Sequence, residues 1–552
     1  MLRGGSSRLF AIGVLSVVVH VLAFTWPYPL GAIARRGGVP DIGVLSGYRW
    51  SAAAAYVAAI ATLFILYGLA LRVARRVEDV RGVAWGVVAV GVAAAVALIA
   101  TYPFSASDVF LYVARGRVLG VHGYNPFVVP PNAFPIDAYV PFRSQWEGVA
   151  SPYGPLWEWL AAALARLGDG SLLRSLLAFK AAALVAYLGC AALVAAILRR
   201  RDPGRLVWGL VAFAWNPLVL IEAHANGQND LVMALFVLLA VWLWESRRHV
   251  WVIPALALGA LVKYVPLLLV PMAAGLMGNR LPRREWLRAL LAGGLISLGL
   301  ALMVFGPLWP GLERWGVLTQ MRRAHFSAGM WLILLLRQVS PPAMAFRVAE
   351  WTMRLLFAAS YGVVLVWAMA RPRSLAGALH DLLYLWLAVG SMAFGYWYVA
   401  WLVPLAALIP GRVDLRRAAA FSATGLLSVA VYTFLGIKWR DWVSMDGLML
   451  ATVPVVFVAP FVMAGGRRPF TQREQSDVDR RQHREHATGW FGSYPAPLAH
   501  PAVAQVNDPA VGMPAFPFDY DLAEPEAGRA SRQRRAAGNA QRGQNGQVPG
   551  NR

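Results

Sequence analysis

An all-α polytopic membrane protein is the fold class this sequence predicts, and three observations predict it. Of its 552 residues 58% are hydrophobic and only 14% charged, with a mean hydropathy of +0.53, so water is not the main solvent for most of its surface. Apolar stretches of about 18 or more residues recur, each long enough to cross a hydrocarbon core of roughly 30 Å. The basic residues fall at the ends of those stretches, where they set orientation.

Taken in order, the pattern predicts about 12 full spans. They lie near Leu9 to Trp26, Ser51 to Leu71, Gly82 to Thr101, Leu172 to Leu198, Leu206 to Ile221 and Asn229 to Trp244, then Leu287 to Trp309, Val348 to Ala370, Leu379 to Phe394, Tyr398 to Ile409, Arg417 to Leu435 and Ser444 to Ala464. Alternate connections carry arginine clusters, among them Arg75 and Arg76, Arg199 to Arg201, Arg247 and Arg248, and Arg416 and Arg417. By the charge rule those connections face the cytoplasm, so both termini are expected inside and the loop after the third span outside. The first span follows Arg3 and Arg8 and precedes Ala32-Ile33-Ala34. A retained anchor is expected there rather than a cleaved signal peptide, because the chain keeps re-entering the membrane.

Three apolar pieces break this parity if counted as full spans: Tyr153 to Leu167, Pro254 to Leu276 with Lys263-Tyr264-Val265-Pro266 in its middle, and Met330 to Leu336. They are expected to be re-entrant or broken helices, which are tolerated at membrane depth only inside protein or beside a wet cavity. Residues 466–552 lose the hydrophobic pattern to Arg, Gln, Asp, Gly and Pro and are expected to form a disordered cytoplasmic tail.

Composition also excludes functions. A lone cysteine, Cys190, inside an apolar stretch leaves neither a disulfide framework nor a cysteine metal site. The net charge of +23 sits at span ends, not on a nucleic-acid-binding face, so no nucleic-acid partner is expected. No Gly-rich phosphate loop or nucleotide domain is visible.

Polar groups in an otherwise apolar chain mark where chemistry would sit. Asp108, just past the outer end of the third span, can hydrogen-bond a hydroxyl and is suited to act as a general base. It opens the loop 102–151, where Tyr112, Tyr124, Tyr139 and Trp146 are interleaved with Pro126, Pro130, Pro131 and Pro141, leading to Tyr153. Such long loops are usually functional, and their rings suit either a sugar face or the lipid headgroup level. Glu222, His224, Asn226, Gln228, Asn229 and Asp230 crowd between two spans and should converge on an externally facing cavity. Their spacing matches no known metal arrangement, so no metal ligand is assigned, and a divalent cation is left open as cofactor. Lys263 within an apolar segment, and Arg322, Arg323 and His325 in a loop expected outside, call for an anionic partner, which a lipid phosphate would supply. Tyr396, Trp397, Tyr398 and Trp401 cluster at an outer corner, as a belt or as a wall for a sugar or prenyl chain.

In order, the runs Ser107-Asp108-Val109, Tyr112-Val113-Ala114-Arg115-Gly116, Gly123-Tyr124-Asn125-Pro126, Ser151-Pro152-Tyr153-Gly154-Pro155-Leu156, Asn216-Pro217, Gly227-Gln228-Asn229-Asp230, Lys263-Tyr264 and Trp397-Tyr398 resemble the membrane glycosyltransferases of the GT-C superfamily. The type they resemble is the polyprenol-phosphomannose-dependent alpha-1,6-mannosyltransferase. The resemblance covers roughly residues 85 to 465, and Tyr396 departs from it where the family often has proline.

It implies a GT-C-like catalytic bundle over residues 1–465. A hexose, mannose by this resemblance, would pass from a polyprenyl-phosphate donor to a glycan or glycolipid acceptor outside the cell membrane, with inversion and with Asp108 as the essential acidic residue. Lys263, Arg322, Arg323 and His325 would then bind the donor phosphate. Tyr112, Tyr124, Trp146, Tyr153, Trp157, His224, Asn229, Asp230, Trp397 and Tyr398 would line the sugar or acceptor site. The competing expectation is a transporter or flippase of lipid-linked glycans, which would more naturally show pseudo-repeats.

Overall fold

Apolar sequence at membrane depth can satisfy its backbone within one segment only as an α-helix, and helix is what this chain forms. The computed structural model describes residues 2–35, 38–77, 81–142, 147–311, 324–370, 374–438 and 442–464. These all fall in one unit, Met1–Pro469. Trp146, Arg322, Arg323 and the tail 466–552 lie outside the described residues. Among the described residues there is no β-strand, only isolated bridges of Pro29 with Thr101 and of His325 with Ala393.

The main helices in chain order are α1 (Gly5–Thr25), α2 (Trp50–Ala74), α3 (Gly82–Ile99), α4 (Asp108–Gly120), α5 (Pro155–Gly168), α6 (Leu172–Arg201), α7 (the pair Pro203–Ala214 and Pro217–Ala225), α8 (Asp230–Glu245) and α9 (Val252–Ala260). They continue with α10 (Val270–Gly278), α11 (Arg283–Leu308), α12 (Ala328–Leu336), α13 (Pro342–Ala370), α14 (Leu375–Gly390), α15 (Tyr396–Leu408), α16 (Val413–Lys438) and α17 (Met445–Met463). Among the described residues eight of these, α1, α2, α3, α6, α11, α13, α16 and α17, are long and apolar enough to cross a membrane, and α7 makes a ninth if its two halves, bent by 53°, count as one span. The chain is an all-α polytopic membrane protein.

The expected twelve spans thus comprise eight long helices, one bent pair, and α8, α14 and α15. At 16 residues, α8 is about 24 Å long, short of the hydrocarbon thickness. It is packed inside the bundle, with most of its residues buried, and so need not reach both surfaces itself. By contrast α11 and α13 are only 11% buried over their apolar windows and present leucine, valine and methionine faces outward, as lipid-facing helices do.

The three pieces that broke the parity are the helices α5, the broken pair α9 and α10, and α12. The break explains how irregular backbone survives here. After α9 the carbonyls of Leu261 and Val262 are released from helical pairing; the N–H of Gly154 donates to Val262 at 2.9 Å and that of Leu156 to Leu261 at 2.9 Å. The hydroxyl of Tyr264 donates to the Tyr153 carbonyl at 2.9 Å. Two non-helical segments thus satisfy each other. A Cβ on Gly154 would lie 2.1 Å from the Leu261 oxygen, so only glycine allows this approach.

Small residues set a second close contact. A Cβ on Gly116 would fall 2.4 Å from the carbonyl oxygen of Ala161, and one on Gly120 2.5 Å from that of Ala162, so α4 and α5 meet backbone to backbone. Buried Lys180 of α6 donates to the carbonyls of Ile99, at 3.3 Å, and Thr101. Its amine therefore rests on the carbonyl end of α3.

The loop after α4 is tied down by polar contacts. Asn125 donates to the Leu308 carbonyl at 2.8 Å, and the Ser151 N–H to the Pro126 carbonyl at 2.8 Å. Asp137 accepts from Arg117 Nε at 3.0 Å and Nη2 at 2.9 Å, and its Oδ2 lies 2.6 Å from His122 Nε2. Burial pushes the Asp137 carboxyl up, but the hydrogen bonds from Arg117, the Tyr139 N–H and His122 outweigh it and hold it below the ordinary value. A depressed carboxyl stabilises the fold above its unfolded value of 3.8 and loses that contribution only as pH falls further. Asp137→Asn is therefore expected to loosen this loop at neutral pH, seen as faster limited proteolysis between residues 121 and 151. An unchanged cleavage rate would remove the cluster as the loop's tie.

Candidate active site

Asp108 is the first residue of α4, where the unpaired N–H groups of the helix favour a carboxylate. Its Oδ2 accepts from Gln228 Nε2 at 3.0 Å and its Oδ1 from the Tyr153 hydroxyl at 3.4 Å. Gln228 is oriented in turn, because its Oε1 accepts from the Tyr112 hydroxyl at 2.8 Å. The Tyr112 oxygen also lies 3.3 Å from that of Tyr153, and its ring packs edge-on to Tyr153 and to Trp157 with centroids 5.2 and 5.0 Å away. The carboxylate is thus held on both oxygens by groups that are themselves locked.

The polar run between the halves of α7 and α8 supports this floor from behind. Asn216 caps the second half of α7 by accepting from the N–H groups of Leu218 and Val219 at 3.0 and 3.2 Å. That half widens into a π turn over Ile221–Ala225, a device frequent at functional sites. Asn226 joins Glu222 to Ser105, its Nδ2 lying 2.9 Å from Glu222 Oε1 and 2.7 Å from Ser105 Oγ. Gly227 then takes φ +71°, and a Cβ there would lie 3.0 Å from Val109. This turn aims Gln228 at Asp108.

Behind Tyr153 lies a buried ion pair. Lys263, at the break after α9, donates to Asp230 Oδ1 at 2.7 Å, and the Trp401 indole N–H donates to the same oxygen. Three rings surround the ammonium, Tyr398 at 5.0 Å, Trp401 at 5.6 Å and Tyr153 at 5.7 Å from their centroids.

Asp108 opens onto a cavity of about 660 Å³. Ser105 to Asp108, Leu111 and Arg115 form its floor, Tyr153 one side, and residues 393–398 the facing wall. His325 and Phe326 close a third side, and Val429, Tyr432, Val453 and Val456 of α16 and α17 make an apolar end. A second π turn, Ala430–Leu435 in α16, places Tyr432 and Thr433 on that lining. Among the described lining residues Arg115 is the one permanent cation. Its Nη2 donates to the Val149 carbonyl at 3.2 Å, while its buried Nε has no partner. Burial holds the His325 imidazole below its ordinary value, so it faces the cavity as a neutral hydrogen-bonding group at pH 7.

The structure therefore brings together Asp108, Tyr153, Trp397, Tyr398 and His325 from the sequence reading. Tyr112 and Trp157 are buried behind them. His224, Asn229 and Asp230, expected on the binding surface, are not among the lining residues: each is almost wholly buried, His224 packing edge-on against Tyr187 at 5.0 Å. Lys263 is likewise held by Asp230, away from the lining. Tyr124 is more than half exposed, against Phe134 in the loop, and Trp146, Arg322 and Arg323 lie outside the described residues. Sequence reasoning missed Gln228 as the carboxylate's partner and Arg115 as the cavity's cation. Arg115 stands seven residues after Asp108, two helical turns along the same face.

Residues 11–279 match the family model described as alpha-(1->6)-mannopyranosyltransferase, N-terminal domain. Alpha-(1->6)-mannopyranosyltransferase A of Corynebacterium glutamicum is 23% identical over 181 residues, 32% of this chain and 36% of that protein, so the match spans about a third of the curated relative's length. The matched stretch holds Asp108, Arg115, Gln228, Asp230 and Lys263, while the aromatic wall lies beyond it. Over residues 11–279 the chain is thus similar to the alpha-(1->6)-mannopyranosyltransferase family.

Proposed function

We propose that the protein is a glycosyltransferase that moves a hexose, mannose by family, from a polyprenyl-phosphate donor to a glycan or glycolipid acceptor on the outer face of the cell membrane. The observation that carries this reading is the cavity itself, in which a carboxylate, a cation, an aromatic wall and an apolar end face one space. An acceptor hydroxyl attacks the anomeric carbon and Asp108 takes its proton; the bond from that carbon to the phosphate oxygen breaks, and the lipid phosphate leaves with the electron pair. A single displacement of this kind inverts the anomeric centre. Arg115 meets the charge developing on the leaving phosphate, where a preorganised donor in a dry site acts most strongly. The rings of Trp397 and Tyr398 offer faces to the sugar, and the valines of α16 and α17 offer an apolar bed to the prenyl chain. Lys263 acts in this reading by holding Tyr153 and Tyr398 in place, not by touching the donor.

The test is to supply purified protein with a panel of polyprenyl-phosphate sugars and an acceptor extract and to weigh the lipid-linked products. A mass gain of one hexose from the mannose donor is expected, and no product from any donor would overturn the proposal. Arg115→Ala is expected to lower kcat/KM for the donor by about 10²-fold, and Arg115→Lys to recover only part of it because the planar fork is lost. Unchanged donor kinetics in both would take Arg115 out of the phosphate site.

A further inference from the structure

Away from the cavity, one cluster of donor groups is used by nothing described so far. His380 lies in the second turn of α14, Asp381 follows it, and Asp414 sits in the first turn of α16. Each offers one ligand atom within 4.8 Å of the other two, and this is the one such group of three among the described residues. The histidine is the informative member. It is 1% exposed, and neither ring nitrogen has a hydrogen-bond partner. Nδ1 stands 3.7 Å from Asp381 Oδ1, beyond hydrogen-bond reach. A buried imidazole with two idle nitrogens is costly unless something fills the gap.

We propose that His380, Asp381 and Asp414 bind a divalent first-row cation, Zn²⁺ or Mn²⁺, at the opposite end of the bundle from Asp108. One imidazole and two carboxylates are an N,O,O set suited to such ions, and the two carboxylates neutralise the charge brought in. Donors around a four-coordinate zinc at about 2.0 to 2.2 Å stand roughly 3.3 Å apart. Binding asks these donors to draw in from spacings of up to 4.8 Å. Asp381 has a further partner, and a carboxylate has two oxygens to offer. A fourth position is left to water.

The placement gives the ion a consequence. α14 runs from this cluster towards the aromatic wall at 395–398, and α16 reaches Ser428 and Thr433 of the cavity about 21 and 29 Å further on. The helices touch through Tyr384 and Phe421, centroids 6.0 Å apart. A cation here pins α14, whose C-terminal end leads into the aromatic wall, to α16, which carries Ser428 and Thr433 of the lining.

The experiment uses the full chain, purified in detergent on a tag without histidines, stripped with EDTA, dialysed against Zn²⁺ or Mn²⁺ alone and assayed for bound metal. Wild type is expected to retain one equivalent more than either His380→Gln or Asp414→Asn, and Zn²⁺ to raise the melting temperature of wild type but of neither variant. Histidines elsewhere in the chain count equally in all three proteins, so only the difference is read. Two variants guard against one failing to fold. Equal metal content and equal metal-induced shifts in wild type and in whichever variant matches its metal-free melting temperature would overturn the site. No sugar transfer enters the readout, so the result stands apart from the proposed activity.

Discussion

Asp108→Asn is expected to abolish detectable hexose transfer while leaving the protein folded. A positioned general base contributes about 10² to 10⁴ in rate, which at 1.36 kcal/mol per decade is roughly 3 to 5 kcal/mol of barrier. The amide keeps the shape of the carboxylate and can still accept from Gln228 or Tyr153, so the hydrogen-bonded floor survives. It cannot take the acceptor's proton. Asp108→Glu is expected to fail nearly as badly, because an added methylene moves the oxygens off the two partners that fix them. Initial rates with the mannosyl donor, beside melting temperatures of each variant, check this. Transfer by Asp108→Asn within threefold of wild type would remove the base from the mechanism. Loss of transfer with a large fall in melting temperature would show that the floor itself had collapsed.

Much of this site was legible because polar groups in an apolar chain need a reason to be there. Asp108 and Tyr153 could be chosen from the sequence for that reason, and the break near Lys263 could be placed because proline follows a charge in the middle of a hydrophobic stretch. What composition could not tell was which side of the floor a polar residue takes. The run from Glu222 to Asp230 had to be sheltered from lipid, but lining a cavity and supporting its floor from behind shelter it equally well. The choice is made by a π turn and by a glycine at φ +71°, neither of which has a periodicity to read. Arg115 was hidden for a different reason. In Val-Ala-Arg-Gly-Arg it looks like ordinary basic punctuation at a span's edge, and only the burial of α4 on nearly all sides turns it inward. His380 and Asp414 belong to separate helices, so no local pattern links them. The helix count was soft for a related reason: α8, α14 and α15 are apolar because they are buried in protein, and hydropathy does not distinguish that from burial in lipid.

Lys263→Met is expected to destabilise the protein by about 3 to 5 kcal/mol, the range seen when one partner of a buried ion pair is removed. The two side chains are 8% and 2% exposed, so little solvent is at hand to re-solvate the Asp230 carboxylate left behind. Trp401 alone would then hold that carboxylate, and the three rings around the ammonium would lose the cation they enclose. Because Tyr153 is one of those rings and also donates to Asp108, kcat is expected to fall with stability while the donor KM stays near wild type. The double variant Lys263→Met with Asp230→Asn removes both charges, and most of the lost stability is expected to return, since an uncharged pair no longer strands a carboxylate. Melting temperatures of the two single variants and the double form the cycle, with donor KM measured alongside. A Lys263→Met protein that melts like wild type but needs far more donor would place the ammonium on the phosphate and make its bond to Asp230 a resting arrangement. A double variant as unstable as the singles added together would mean that the two groups act independently, and the aromatic cage would then need another explanation.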